Sequence, residues 1–131
     1  MSQENLDNFL RTLQRFREGD FDFWVESFHE EGELVPLRAP IEGTFRGEAR
    51  LREFLADNAD SFDAFEPSYD DIRDLGDRIL ALGRLRIRGK EGGVEVEVPS
   101  ALVATYRDGK VMRLEDFGDW QKALQSVGLT A

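Results

Sequence analysis

The spacing of apolar positions changes part-way along the chain. From residue 3 to residue 58 apolar side chains recur every three or four positions, and from Ser68 onward they alternate. Leu6, Phe9, Leu10, Leu13 and Phe16 form one stripe of a helix over 3–18, with Ser2 to cap it and Gly19 to end it. Asp20 caps a second short helix, whose Phe21, Trp24, Val25 and Phe28 share a face and which Gly32 breaks. Glu33–Leu37 reads as a short strand stopped by Pro36 and Pro40. Gly43–Gly47 reads as a short strand or turn. A third helix fits Glu48–Asn58, with Leu51, Phe54 and Leu55 inward, and Asp60–Pro67 reads as a loop anchored by Phe62 and Phe65.

The alternating part predicts strands near 68–74, 78–89, 94–107 and 110–117, separated by turn signals at Gly76-Asp77, Lys90–Gly93 and Asp108-Gly109. A last helical turn runs from about Asp119 to Val127, carrying Trp120, Ala123 and Leu124, and Gly128 closes it. Helices followed by a strand meander make an α+β fold.

Register follows from which residues can stand opposite each other. A four-residue loop over 90–93 sets Arg88 against Glu95 and Arg86 against Glu97 on one face. On the other face it sets Ile87 against Val96 and Leu85 against Val98. Ile79, Ala81, Gly83, Leu85 and Ile87 therefore face inward, opposite Ala104, Leu102, Ser100, Val98 and Val96. Arg84, Arg86 and Arg88 then read as a solvated ladder with Glu95 and Glu97, rather than an anion site. At the next turn, a three-residue Arg107-Asp108-Gly109 loop with a bulge pairs Tyr106 with Lys110. It turns Met112, Leu114 and Asp116 inward, with Asp116 near Ser100, and leaves Val111, Arg113, Glu115 and Phe117 outside. A two-residue turn would send two charges, Arg113 and Glu115, inward.

The order of elements resembles the NTF2-like superfamily, the cystatin-like or SnoaL-like α+β cone. The segments that carry the likeness are Tyr106-Arg107-Asp108-Gly109-Lys110-Val111, then Arg113-Leu114-Glu115-Asp116-Phe117, then Ala123-Leu124 and Gly128-Leu129. Phe16-Arg17-Glu18-Gly19-Asp20-Phe21 and Gly43-Thr44-Phe45-Arg46-Gly47 are similar to the family as well. The resemblance implies a curved, mostly antiparallel sheet wrapped by helices, with an apolar pocket at its wide end. It also implies a range of roles: ketosteroid isomerase-like, polyketide cyclase-like and epoxide hydrolase-like enzymes, and proteins that only bind ligands or partners. The isomerase base position falls at Pro36, its tyrosine donor at Thr12 and its protonated aspartate donor at Leu102, so that set is absent. Asp116 matches one carboxylate of the hydrolase Asp–Arg–Asp cluster, without an arginine partner.

Composition narrows the classes further. A chain of 131 residues is one domain's length, so 1–131 is taken as a single SnoaL-like domain. With no cysteine, disulfide and thiolate chemistry are excluded. With one histidine, His29, a histidine-rich metal site is excluded, and no loop has the ligand spacing of a calcium or magnesium site. The net charge of −10 repels phosphate backbones and anionic bilayers, so neither nucleic acid nor membrane is an expected partner. No apolar run approaches the roughly 20 residues that span a bilayer. Met1–Asn5 lacks the basic head and apolar stretch of a signal peptide, which makes a cytoplasmic location the expectation.

The inner wall expected from these registers is Gly83, Leu85, Val98, Ser100, Leu102, Met112, Leu114 and Asp116, closed from the helices by Thr12 and Trp24. It is apolar with few polar groups, as small-molecule sites are, and the expected partner is a small apolar molecule, with no cofactor. Asp116 is the candidate catalytic group, because an apolar setting disfavours the carboxylate and brings it toward general-base range. Gly83 opposite Ser100 reads either as room for a ligand or as relief of twist. His29 reads as a helix-end imidazole favoured by the dipole, with catalysis requiring it to turn toward Asp116. Asp70 and Asp71 are near the mouth, in a strand whose parity the sequence leaves open. Ala101, Val103, Thr105, Val111 and Phe117 make an apolar outer face, to be covered by a homodimer partner or by the C-terminal helix.

Overall fold

The structure, a computed structural model, describes residues 2–37 and 43–129. In chain order the elements are α1 (Ser2–Arg17), α2 (Phe21–Glu26), β1 (Phe28–Val35), β2 (Phe45–Arg46), α3 (Glu48–Ser61), β3 (Phe62–Asp74), β4 (Arg78–Gly89), β5 (Glu95–Arg107), β6 (Lys110–Asp116) and α4 (Trp120–Ser126). The strands form one six-stranded sheet in the order β2-β1-β6-β5-β4-β3. Only β1 and β6 run parallel. This is the α+β cone expected from the sequence. No helix among the described residues is long and apolar enough to cross a membrane.

The β4–β5 hairpin has the register derived above, from Arg88 opposite Glu95 through Gly83 opposite Ser100 to Ile79 opposite Ala104. The charged ladder forms diagonally: Arg84 meets Glu97 at 3.4 Å, while Arg86 bridges Glu95 and Glu66 on the neighbouring strand. The next hairpin differs. Arg107 pairs with Lys110 across a two-residue turn, with Asp108 at φ 52° and Gly109 at φ 78°. Two positive φ angles give the turn whose twist suits a hairpin. The extra residue comes later, at Met112, between the pairs Tyr106–Val111 and Thr105–Arg113. That bulge restores parity, so Leu114 and Asp116 still face inward and Arg113 and Glu115 outward. Val111, expected outside, is buried in the inner core, and Met112 loses its inward place to the bulge.

Three further boundaries depart from expectation. α1 takes in Ser2, its expected cap, and Leu10 stands on its exposed side. Residues 28–35 are a strand rather than helix followed by breaker. Gly32 does not end a helix: a Cβ there would stand 2.4 Å from the Val111 carbonyl oxygen, so glycine lets β1 bulge against β6. Pro40, the second expected stop, lies outside the described residues. α3 runs three residues longer than expected, and β3 starts at Phe62, where a loop was anticipated.

Two apolar layers flank the sheet. The inner one joins Phe9, Trp24, Val25, Phe28, Leu34, Phe45, Leu51 and Phe54 to Ile79, Ala81, Ala104, Tyr106 and Val111. Aromatic edges pack through it, with Trp24 and Phe28 at 4.9 Å and Phe45 and Phe54 at 5.5 Å between ring centres. The outer one sets Ala123 and Leu124 of α4 on Leu80, Leu82, Ala101 and Val103, with Phe117 beside them. The chain's own C-terminal helix, one of the two covers weighed for this face, packs on it. Asp119 caps it, its Oδ1 accepting from the N–H groups of Gln121 and Lys122 at 2.9 and 3.2 Å. Asp119→Ala is expected to lower stability by about 1 kcal/mol, measured as a shift of the urea midpoint.

Candidate functional site

The inner face of the sheet and the helices above it border a partly open cavity of about 240 Å³. Trp24 of α2, Phe54 and Asn58 of α3, and Phe62, Phe65, Pro67 and Tyr69 of β3 wall one side. Leu85, Val98, Leu102, Leu114 and Asp116 of the sheet wall the other, with Leu34, Pro36 and Leu37 at the end of β1.

Asp116, Ser100 and Tyr69 are its polar core. Asp116 Oδ1 accepts from the backbone N–H groups of Ala101 at 3.1 Å and Gly118 at 3.0 Å. Its Oδ2 accepts from the Ser100 hydroxyl at 2.9 Å. Ser100 is fully buried, and its Oγ lies 2.7 Å from the Tyr69 hydroxyl. Burial pushes the Asp116 carboxyl above the usual carboxylate range, and the N–H groups of Ala101 and Gly118 and the Ser100 hydroxyl offset part of that rise. Burial likewise pushes the Tyr69 hydroxyl well above the ordinary tyrosine value; the Ser100 bond lowers it, and the nearby Asp116 charge raises it again.

The chain can carry a hydrogen-bond relay in either direction. With Asp116 ionised, Ser100 donates to it and Tyr69 can donate to Ser100. With Asp116 protonated, the order reverses, and the Tyr69 O–H is free to donate into the cavity.

Gly83 makes this geometry possible. Tyr69, Gly83 and Ser100 stand side by side across three strands. A Cβ on Gly83 would lie 1.9 Å from the Ser68 carbonyl oxygen and 2.6 Å from Tyr69 Cα, so only glycine lets β3 fold over the inner face here. Of the two readings of Gly83, the structure supports close backbone approach. It does not line the cavity.

Six of the ten expected residues line the cavity: Trp24, Leu85, Val98, Leu102, Leu114 and Asp116. Ser100 sits behind the wall, bonded to Asp116. Thr12 borders a separate depression with Asn8, Phe23 and Tyr106, because α1 presents that turn away from the wide end of the cone. Met112 is displaced by its bulge. His29 lies in β1, where its Nδ1 accepts from the Glu31 N–H at 3.1 Å; with no helix end there, the dipole role falls, and it does not line the cavity. Asp71 pairs with Arg73 on the surface at 2.9 Å, and Asp70 borders an outer groove.

Sequence reasoning missed Tyr69 and Asn58. The bulge at Asp70 shifts β3's parity, since Tyr69 pairs with Gly83 but Asp71 with Leu82. Asn58 gave no signal, being one polar residue near a helix end.

The model of the SnoaL-like domain matches residues 9–114. The chain belongs to the SnoaL-like family. No curated protein matches its sequence. Among solved structures, this SnoaL-like domain is similar to TerC, co-crystallised with polyporic acid, at 25% identity over 88% of this chain and 92% of that one, with a TM-score of 0.78. An NTF2-like protein of unknown function from Burkholderia pseudomallei shares 16% identity over 95% and 98% of the chains, with a TM-score of 0.81. A protein of ketosteroid isomerase-like fold from Catenulispora acidiphila, in complex with trimethylamine, shares 18% identity over 82% and 81%, with a TM-score of 0.67. The last two speak to fold alone.

Proposed function

We propose that this SnoaL-like domain binds a small apolar molecule bearing a carbonyl or comparable oxygen. We further propose that it moves a proton on that molecule through Asp116, without a cofactor, as an isomerase, cyclase or hydrolase does. The observation that carries the reading is the Asp116 carboxyl, raised by burial and lining an apolar cavity, with the Tyr69 hydroxyl linked to it through Ser100. In its ionised form Asp116 takes a proton from the carbon next to the carbonyl. Tyr69 donates to the oxygen on which the negative charge then collects. The co-crystal of TerC with polyporic acid supports a small-molecule ligand for this fold.

A second reading, a binding module without turnover, is favoured by one observation: both Asp116 oxygens are already engaged, by Ala101, Gly118 and Ser100.

One experiment separates the two. The bicyclic ketone 1-tetralone is held with the protein in deuterated water, and exchange of its C2 hydrogens is followed by NMR. The enzyme reading expects protein-dependent exchange that falls by about 10²-fold or more in Asp116→Asn and also falls in Tyr69→Phe. Saturable binding without exchange favours the module. A protein that neither binds nor exchanges any of a panel of apolar ketones, lactones and epoxides sinks both.

A further inference from the structure

We infer that Phe65 sets the size limit of the ligand: its ring divides the cavity from a larger groove beside it, so the site takes a compact molecule of one or two rings and holds a longer chain no better. This rests on the pocket reading above and adds the ligand's size. The cavity, at about 240 Å³, is smaller than the roughly 300 Å³ at which sites for drug-sized ligands begin. A groove of about 780 Å³ adjoins it. The two spaces share five wall residues, Phe16, Asn58, Phe62, Phe65 and Pro67.

Phe65 holds the middle of that shared wall. Its ring centre lies 6.2 Å from Phe16 and 5.9 Å from Phe62, the two other shared rings. It lies 6.5 Å from Phe54, which lines the cavity but not the groove. These are the separations of packed aromatic pairs. Strand alternation sets the ring there: Phe65, Pro67 and Tyr69 share one face of β3, opposite Ile87, Leu85 and Gly83. Phe21 and Leu55 line the groove and not the cavity. Phe21 is 43% exposed, and its ring stands 5.2 Å from Phe16. An apolar chain gains affinity with each methylene taken out of water, about fourfold apiece. In this cavity the gain stops at the ring of Phe65. With the ring gone, the chain continues into the groove and reaches Phe21.

The test titrates straight-chain methyl ketones, from 2-pentanone to 2-decanone, calorimetrically. With wild type, affinity is expected to climb through the shorter ketones and then level off. Phe65→Ala is expected to carry the climb to longer ketones. The ratio of 2-decanone to 2-pentanone affinity then rises about tenfold, the yield of roughly two further methylenes buried. Phe65→Leu, a milder change to the packing, is expected to raise the same ratio by less. Phe21→Ala supplies the second arm. Alone, it is expected to leave the ratio within about twofold of wild type; combined with Phe65→Ala, it lowers the ratio by about threefold, because only there does the chain reach Phe21. If Phe65→Ala does not fold, the second arm is run on Phe65→Leu.

A ratio that neither Phe65 variant changes overturns the inference. So does a ratio raised at Phe65 but indifferent to Phe21, and so does a wild-type climb without a break through 2-decanone. In these cases wild type still binds 1-tetralone, and the pocket reading stands. If wild type binds neither 1-tetralone nor any methyl ketone, the pocket reading fails and takes the inference with it.

Discussion

Gly83→Ala is expected to lower the folding free energy by about 3 kcal/mol and the melting temperature by about 10 °C. The added methyl meets the Ser68 carbonyl oxygen at 1.9 Å and Tyr69 Cα at 2.6 Å. Both are main-chain atoms, so no side chain can swing aside. Strand β3 has to lift away, and the pairs Ser68–Arg84 and Tyr69–Gly83 open with it. The hydroxyl of Tyr69 then leaves Ser100, and one end of the relay goes with it. Gly89→Ala is the control. It lies in the same strand, and its new methyl would meet only the Glu91 carbonyl oxygen, at an ordinary 3.7 Å. Urea denaturation of the two variants should separate them clearly. Equal midpoints would mean that the fold over Gly83 is not a close approach.

How far the sequence could be read depended on where strands stay regular. Between β4 and β5 two constraints agreed: arginines needed glutamates outside, and branched side chains needed each other inside. Every pair from Arg88–Glu95 to Ile79–Ala104 follows. Bulges break such reasoning, because one extra residue exchanges the two faces and alternation then resumes unchanged. At Asp70 this concealed Tyr69. At Met112 it cancelled a misjudged turn, so Leu114 and Asp116 face inward for a different reason from the one expected.

Strand β1 was hidden in another way. Glu30, Glu31, Gly32 and Glu33 have little strand propensity. They are held extended because pairing with β6 buries Phe28 and Leu34, two residues the local pattern assigned to different elements. The start of β3 was masked by Pro67. A proline is tolerated there because β3 lies at the sheet's edge. Asp116 and Ser100 were legible as a pair, since alternation along β5 and β6 turns both to the inner face. Asn58 was not, because its place depends on how α3 lies over the sheet.

Asp116→Ala is expected to destabilise the fold by about 3 kcal/mol at neutral pH, and Asp116→Asn by much less. Alanine leaves two donors without an acceptor in a mostly buried place, the N–H groups of Ala101 and Gly118, while the Ser100 hydroxyl turns to Tyr69. Each unpaired buried donor costs about 1–3 kcal/mol, less where cavity water reaches it. Asparagine keeps an oxygen for Ala101 and Gly118, and its amide donates to Ser100, which turns the serine hydroxyl toward Tyr69.

The two side chains differ in charge, and pH brings that out. Burial holds the folded Asp116 carboxyl above its unfolded value, so between those two values the folded chain binds more protons than the unfolded one. In that window stability contributed by Asp116 falls as pH rises. Below the window the contribution is unchanged, and above it the full cost of a buried carboxylate is present. Asparagine has no proton to lose, and the other 26 of the 27 acidic groups are common to both chains. The stability of wild type minus that of Asp116→Asn should therefore decline as pH climbs from the ordinary carboxylate value, then level off. Urea denaturation of both proteins across this range measures the difference directly. A difference that stays flat, or grows with pH, would show a carboxyl held at or below its ordinary value and would remove Asp116 as the proton carrier of the cavity.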